Sequence, residues 1–291
     1  MEILQRPDEM QQWVRGQRRS GACIGLVPTM GFFHDGHLSL MRLAAQHADT
    51  VVVSLFVNPT QFAPNEDLDR YPRDFERDML MLRREQVAAV FAPTPELMYP
   101  PGFQTEVRVQ HLTKYLCGRT RPHHFAGVAT VVTKLFNIVQ PDVAVFGEKD
   151  YQQLAIIRRF VTDLNLPIRI IGGPIVREDD GLAMSSRNAN LDRSHRASAL
   201  SLSTGIGLAR DLYCQGERNA MAIATAVQRH ILSFPHTSID YVSLIDSRNL
   251  DLVEQVDVHT MLALAVHIDG KVRLIDNGLL VPHSESRISA V

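Results

Sequence analysis

Two histidines stand three residues apart in VPTMGFFHDGHLSL, which runs from Val27 to Leu40. The segment leaves an apolar run, passes two glycines and is predicted to open a helix at about His37. A helix start exposes unpaired N–H groups and the positive end of the helix dipole, so it binds phosphate readily. Gly36 lets an anion approach the backbone, while His34 and His37 can both donate hydrogen bonds to it. The spacing predicts a phosphate site, although a surface turn holding two histidines gives the same pattern.

A second polar cluster, FVNPTQF, covers Phe56 to Phe62 at the end of another apolar run. Asn58 and Gln61 offer uncharged donors and acceptors, which suit recognition of a small hydroxylated acid. An Asn-Pro pair is also an ordinary turn signal, and for this motif in isolation the turn is the favoured interpretation.

The third cluster is VAVFGEKDYQQL, from Val143 to Leu154, which has the order strand, glycine, helix. Lys149 can neutralise phosphate as a point charge, and Asp150 can cap the helix or hold a ribose hydroxyl or Mg²⁺. Gln153 lies one helical turn further on. The alternative is a structural one, in which Asp150 caps the helix and Lys149 is solvated.

GLAMSSRN, from Gly181 to Asn188, completes the set. Ser185 and Ser186 supply hydroxyl donors and Arg187 a forked guanidinium, which are natural partners of a phosphate chain. Taken alone, serine and arginine in a loop are more often only solvated.

A metal centre is the main rival for the histidines, since histidine is the commonest transition-metal ligand. Zinc requires three or four ligands, and the additional candidates are His123 and His124 in RPHHFAG. No cysteine or glutamate stands near them at a spacing typical of zinc sites, so a metal cage is less favoured than phosphate.

These clusters must be positioned by the elements between them. From Ala22 onward, short runs rich in valine and isoleucine alternate with longer amphipathic ones, which is typical of βαβ units and a parallel sheet. Ligands bind such sheets beyond the carboxyl ends of the strands, where three of the clusters fall. Strands are predicted over Ala22–Val27, Thr50–Phe56, Val87–Phe91, Thr105–Val109, Val143–Phe146 and Ile168–Gly172, and helices over Leu38–His47, Arg73–Glu85, Ala126–Val139 and Tyr151–Asn165.

The composition changes at GPIVREDDGLAMSSRN, a polar, glycine-bearing connector typical of a hinge. We expect a domain over residues 1–175, a hinge and phosphate-binding loop over 176–188, and a second domain over 189–291. The second domain is predicted to have helices at Arg193–Cys214 and Glu217–Phe234, then strands at Ser238–Ile245, Leu262–Ile268 and Lys271–Ile275, the last two forming a hairpin around Asp269 and Gly270.

The overall charge sets limits on partners. A net charge of -2 and a pI near 6.6 give no general attraction to nucleic acid or anionic membranes. The three cysteines, Cys23, Cys117 and Cys214, are far apart and odd in number, which fits a reducing compartment. The start, MEILQRPDEM, has no apolar signal core, and we expect a cytoplasmic protein.

Taken together, HDGH and the late MSSR segment resemble the H-x-G-H and K-M-S-K-S signatures of the nucleotidyltransferase superfamily. With PTMGFFHDGH, FVNPTQF, FGEKDYQQ and GLAMSSRN in this order, the chain resembles the pantothenate synthetase (pantoate–β-alanine ligase) family over nearly its whole length. The resemblance implies an α/β fold with a Rossmann-like doubly wound parallel sheet, a smaller α+β C-terminal lid domain and a homodimer. It also implies Mg²⁺ with ATP, and condensation of pantoate with β-alanine through a pantoyl adenylate.

The same resemblance assigns residues to substrates. His34 and His37 stabilise charge on the phosphates, with His37 as a proton donor, and Lys149 and Arg187 supply cations. Gln61 and Gln153 bind pantoate, and Gln61 also lies near β-alanine, while Asn58 is left open. The ATP contacts implied are Met30, Gly31, Phe32, Phe33, His34, Asp35, Gly36 and His37, then Gly147, Glu148, Lys149 and Asp150, then Val176, Met184, Ser185, Ser186 and Arg187.

One departure concerns the wider superfamily: Ala183 replaces the first lysine of K-M-S-K-S, and Arg187 the second. We expect Lys149 to take the role of the missing lysine.

Two alternative functions stay open from the residues. One is a nucleotidyltransferase joining AMP to a phosphorylated acceptor, and the other is a nucleotide-binding sensor without turnover. Gln61 and Gln153 favour an uncharged hydroxy acid, and the doubled phosphate-binding loops exceed what a sensor needs.

Overall fold

The computed structural model describes residues 1–282 apart from 64, 65 and 67. The chain forms two compact units, the first of residues 1–176 with 184–186 and the second of residues 177–183 with the described residues from 187 onward. The domain boundaries expected at 175 and 188 remain a prediction.

A six-stranded parallel sheet is the centre of the first unit. Its order is β1-β4-β3-β2-β5-β6, and its central strands are apolar and buried, as burial on both faces of a sheet requires. The strands are β1 (Glu2–Leu4), β2 (Ile24–Thr29), β3 (Thr50–Leu55), β4 (Ala89–Phe91), β5 (Val143–Gly147) and β6 (Arg169–Gly173).

Strand β2 lies at the point where the strand order reverses, with β3 on one side and β5 on the other. Doubly wound sheets bind ligands outside the carboxyl ends of the strands at this switch point. The helices of the unit are α1 (Pro7–Arg19), α2 (Asp35–Ala45), α3 (Phe75–Arg84), α4 (Pro95–Met98), α5 (Leu116–Thr120), α6 (His124–Val139) and α7 (Tyr151–Asp163).

The described residues of the second unit form a three-stranded antiparallel sheet of order β7-β8-β9 and the α-helices α8 and α9. Its core includes Leu202, Ile223 and Leu264, all buried. The predicted hairpin at Asp269 and Gly270 is present, because β8 pairs with β9 through Ile268 and Val272. The elements are α8 (Arg196–Cys214), α9 (Ala220–Leu232), β7 (Thr237–Asp246), β8 (Thr260–Ile268) and β9 (Val272–Leu279). The predicted fold class, a doubly wound parallel sheet with a smaller α+β part, is thus confirmed.

One predicted strand is wrong. Residues 105–109 form no strand, although valines alternate there. Thr105, Glu106 and Arg108 are exposed, and the Val107 amide donates to the Thr130 hydroxyl at 2.9 Å, in place of a neighbouring strand. Alternation without a partner strand cannot make a ladder.

The connector between the units contains a small hairpin. Within the second unit, Arg177 pairs with Ala183, and Leu182 and Ala183 are buried. Arg196 binds the carboxylates of Glu178 and Asp180 at 2.6 and 2.7 Å. The stretch expected to be a polar linker therefore has defined local structure.

Candidate active site

The first histidine motif follows β2 through a tight loop. Gly31 and Phe32 have φ angles of 82° and 53°, a left-handed conformation that glycine adopts easily and phenylalanine rarely. His34 is the N-cap of α2, which begins at Asp35, two residues before the predicted start. The loop therefore delivers both histidines to the switch point of the sheet.

A buried carboxylate from α3 holds this loop. Asp78 is 1% exposed and accepts hydrogen bonds from the Phe32 and Phe33 amides at 2.7 and 2.8 Å. Burial raises the pKa of the Asp78 carboxyl, while the two amides oppose that rise. Asp78 was not among the residues predicted from the sequence; the signal available was an acidic residue on the buried face of α3, beside Met79 and Leu82.

The two imidazoles are stacked at a tilt, with ring centroids 4.1 Å apart. Burial lowers the pKa of His37 well below its ordinary value, and the neighbouring His34 and Lys149 lower it further. His37 is therefore neutral at pH 7. Its buried Nδ1 atom has no hydrogen-bond partner among the residues described, so the ring has polar capacity left for a ligand.

The Gly36 backbone packs closely against the His34 ring. A Cβ at position 36 would lie 2.9 Å from two atoms of the His34 ring, which is closer than side chains pack. Gly36 was predicted to let an anion approach the backbone. In the structure it also leaves room for the His34 ring.

Gln61 of the second motif reaches the end of β2. Its Nε2 atom lies 3.1 Å from the Met30 sulfur, and its Oε1 accepts from Asn58 Nδ2 at 3.2 Å. Asn58, which the sequence left open, is 1% exposed and fixes the Gln61 amide. The Asn58 oxygen in turn accepts from the Tyr99 hydroxyl at 2.7 Å, so the whole amide is oriented.

The Gln61 backbone is held from α6 and the segment before it. Its carbonyl accepts from His124 Nδ1 at 2.9 Å and from Arg121 Nη2 at 3.3 Å. Arg121 also pairs with both oxygens of Glu66 at 2.5 and 2.6 Å. Burial, with the charge of Arg121, lowers the pKa of His124 to about 4, so this histidine donates as a neutral ring. His123, by contrast, is exposed.

The third motif turns from β5 into α7 through a short 3-10 helix, Glu148–Asp150. Asp150 occupies the N-cap position of α7 but makes no side-chain capping bond, so the structural explanation by capping is wrong. The effect of Lys149 on the pKa of His37 places its charge near the histidine pair.

The two adjacent glutamines on α7 have different surroundings. Gln152 is buried and donates to the carbonyls of Leu112 and Tyr115 at 2.8 and 2.9 Å. Gln153 is half-buried, and no hydrogen bond of its side chain to the described residues is present. Gln153 is thus available to a ligand, while Gln152 supports the fold.

Part of the fourth motif reaches the histidine loop. Ser186 is buried and donates to the Phe32 carbonyl at 3.2 Å. A Cβ on Gly36 would also meet the Met184 Cβ at 3.6 Å, and the Met184 amide donates to Val176 at 2.9 Å. Arg187 belongs to the second unit, and its placement on phosphate remains a prediction.

Within the described part of the chain, His34 and His37 are not members of a group of three side chains spaced to hold a metal ion. Among the described residues, the group spaced for metal binding is His195, His236 and Asp269, with ligand atoms within 4.8 Å of one another. All three belong to the second unit.

Comparison with known proteins decides the family. The profile described as Pantoate-beta-alanine ligase matches residues 2–279. The chain belongs to the pantoate-beta-alanine ligase family. It is 55% identical to a pantothenate synthetase of Desulforapulum autotrophicum over 97% of this chain and 99% of that one. It is 54% identical to a pantothenate synthetase of Moorella thermoacetica over 96% and 99%.

Solved structures agree with this pantoate-beta-alanine ligase assignment. Pantothenate synthetase from Thermus thermophilus superimposes with a TM-score of 0.92 at 41% identity, covering 97% of this chain and all of that one. A pantoate-beta-alanine ligase from Francisella tularensis, complexed with beta-gamma ATP and beta-alanine, gives a TM-score of 0.78 at 32% identity over 96% and 98%. In the part of the chain that is described, no helix has the length and apolar character needed to cross a membrane.

Proposed function

We propose that this chain condenses pantoate with β-alanine, using ATP and releasing AMP and pyrophosphate through an enzyme-bound pantoyl adenylate. The proposal is supported by family membership over nearly the whole chain. The observation that carries it is the 3.1 Å approach of Gln61 Nε2 to Met30, which brings the uncharged acid-binding motif to the loop of the histidine pair.

In the first half-reaction, a pantoate carboxylate oxygen attacks the α-phosphorus of ATP, and the bond to the bridging oxygen of pyrophosphate breaks. His34 and His37 donate hydrogen bonds to the phosphate oxygens as charge develops on them. Neutral imidazoles serve this purpose, and donors fixed before the reaction stabilise the transition state without reorganisation. Lys149 adds positive charge close to the neutral His37 ring.

In the second half-reaction, the β-alanine amine attacks the acyl carbon, AMP leaves, and the amine loses a proton. Gln153, whose amide has no partner among the described residues, binds pantoate together with Gln61. The fixed Gln61 amide limits how far the bound acid can move between the two steps, and a positioned reactant reacts far faster than a mobile one.

ATP is held by the segments that the family resemblance assigns, Met30–His37, Gly147–Asp150, Val176 and Met184–Arg187. Mg²⁺ accompanies ATP in this proposal. The exposed Asp150 carboxylate makes no hydrogen bond to a described residue and would supply the hard oxygen that Mg²⁺ prefers. Bound Mg²⁺ would neutralise phosphate charge.

The resemblance also supports a homodimer in the cytoplasm. Sedimentation velocity of the purified chain tests the dimer: a single species at the mass of one chain would contradict it.

Exchange of radiolabel between pyrophosphate and ATP tests the function. We expect exchange that requires pantoate and does not require β-alanine, because only the first half-reaction is reversed. Exchange without pantoate would favour transfer of AMP to another acceptor. A complete lack of exchange with pantoate would favour a nucleotide-binding sensor.

A further inference from the structure

The loop before the histidine pair contains a concave site for an anion, and the protein fills it itself. Successive backbone N–H groups beside residues of left-handed conformation make such a concavity, which binds phosphate in many proteins. Here Gly31 and Phe32 have positive φ angles, and the Phe32 and Phe33 amides converge on one carboxylate, that of Asp78.

The fit between the carboxylate and the loop is close. A Cβ on Gly31 would lie 2.9 Å from Asp78 Oδ2, so the carboxylate is packed against the glycine backbone as well as bonded to the amides. Arg77, the preceding residue, lies over the Phe32 ring at 5.2 Å from its centroid. Asp78 therefore holds the backbone of Phe32, and its neighbour Arg77 holds the Phe32 side chain.

This arrangement changes which groups can receive ATP. Phe32 and Phe33 were expected to contact ATP, but their amides are engaged by Asp78. The hydrogen-bond donors that this loop can still offer to phosphate come from the next residues of the chain. They are His34, His37 and the backbone amides at the start of α2. A second anion in the loop would also meet the charge of the carboxylate, and like charges at this range repel.

We propose that Asp78 is a positioning residue, which occupies the amide concavity of residues 31–33 and so directs the phosphates of ATP to the histidine pair. This role rests on the proposed function. It requires no contact between Asp78 and substrate: Asp78 acts through the backbone that carries His34 and His37.

Asp78→Asn tests the role, since it keeps the size of the side chain but replaces one accepting oxygen by an NH₂ group, which cannot accept from an amide. We expect kcat of pantoate-dependent exchange to fall on the order of 10- to 100-fold, because displacement of reacting groups by about 1 Å costs up to that much. KM for pantoate should stay within about twofold, since Gln61 and Gln153 do not depend on this bond. Hydrogen exchange of the amides at 32 and 33, measured without ligand, should speed up.

Asp74→Ala is the matched control. Asp74 is the N-cap of the same helix and accepts from the Arg77 amide at 3.1 Å, so the variant loses a carboxylate–amide bond that caps α3 but keeps Asp78 and its two bonds to the loop amides. It should lower the melting temperature and leave exchange kcat unchanged. Equal losses of kcat in the two variants would mean that Asp78 only stabilises the fold, and this result would overturn the proposal.

Gly31→Ala tests the same contact from the loop side and decides the matter if Asp78→Asn does not fold. We expect it to lower kcat and to accelerate amide exchange at 32 and 33 in the same way. Wild-type kcat and wild-type amide protection in the folded variant would overturn the proposal. Failure of the wild type to exchange label with pantoate would instead remove the proposed function, and the functional part of this inference with it.

Discussion

The glycine at position 127 offers a quantitative test of how the pantoate motif is positioned. Gly127 lies in α6, and a Cβ there would meet the Thr60 carbonyl oxygen at 2.5 Å and the Gln61 nitrogen at 2.8 Å. Ordinary contacts begin at 3.4 Å, so Gly127→Ala requires the helix and the turn to separate by about 0.9 Å. Both obstructing groups are backbone, which cannot rotate away.

Two effects of opposite sign determine the stability of Gly127→Ala. Alanine is favoured over glycine in a helix by about 1 kcal/mol, whereas overpacking costs about 1–3 kcal/mol. We expect a net loss of about 0–2 kcal/mol, or a few degrees in melting temperature. Catalysis should suffer more, since the same displacement moves Gln61: we expect pantoate-dependent exchange to fall on the order of 10- to 100-fold in kcat/KM for pantoate.

Gly16→Ala is the control for this prediction. Gly16 lies inside α1, and a Cβ there would meet nothing within 4 Å, so alanine should stabilise by about 0.5–1 kcal/mol without affecting exchange. Melting curves and exchange kinetics are measured on both variants. A Gly127→Ala protein as stable as Gly16→Ala, with wild-type kcat/KM for pantoate, would refute the reasoning.

The remaining predictions concern individual side chains. His34→Ala and His37→Ala should keep the fold and slow adenylate formation by about 10²- to 10³-fold in single-turnover assays; full activity in a folded variant contradicts the role. Gln153→Ala should weaken the binding of pantoate and leave the affinity for ATP unchanged. A calorimetric titration that shows lost ATP affinity and unchanged pantoate affinity would contradict the assignment of Gln153 to pantoate. Lys149→Ala should slow adenylate formation far more than it slows the reaction of preformed pantoyl adenylate with β-alanine. It should also raise the pKa of His37 in an NMR titration, because a neighbouring positive charge is lost. Equal losses of rate in both steps would contradict a contact between Lys149 and the phosphates. The pKa of His124 is about 4 in the folded state against 6.5 in the unfolded state. Because only the unfolded state takes up the proton near pH 5, the free energy of unfolding should fall by about 1–2 kcal/mol from pH 8 to pH 5. His124→Gln should lose this part of the pH dependence in urea unfolding, and an unchanged dependence on pH would contradict the prediction.

The sequence predicted the elements that carry strong apolar patterns and missed those that do not. The strand ending at Thr29 and the helix α6 are both rich in buried apolar residues and were expected. Helix α1 was not predicted, because it buries only Met10 and Val14 in an otherwise polar stretch. Strand β1 is three residues long, too short to show a pattern.

The candidate site divides in the same way. The residues of the four motifs could be proposed from the sequence, because histidines, amides and cations beside strand ends suit phosphate and acid chemistry. Their supports were not, since Asp78 and Arg121 act through contacts distant in sequence: Asp78 bonds residues 45 and 46 positions away. Only the folded chain shows which polar residues face a ligand and which hold the backbone, as the contrast between Gln152 and Gln153 illustrates.

The position of Ala183 bears on the source of positive charge for pyrophosphate. Superfamily members with K-M-S-K-S carry a lysine where this chain has Ala183. Here Ala183 is 5% exposed, its backbone pairs with Arg177, and its carbonyl accepts from Asn188 at 3.1 Å. A lysine in this place would have to bury an ammonium or break the hairpin, and burying an unpaired charge costs several kcal/mol. We propose that Lys149 supplies the cation instead, because its charge lowers the pKa of His37 and it follows a strand that adjoins β2 in the sheet.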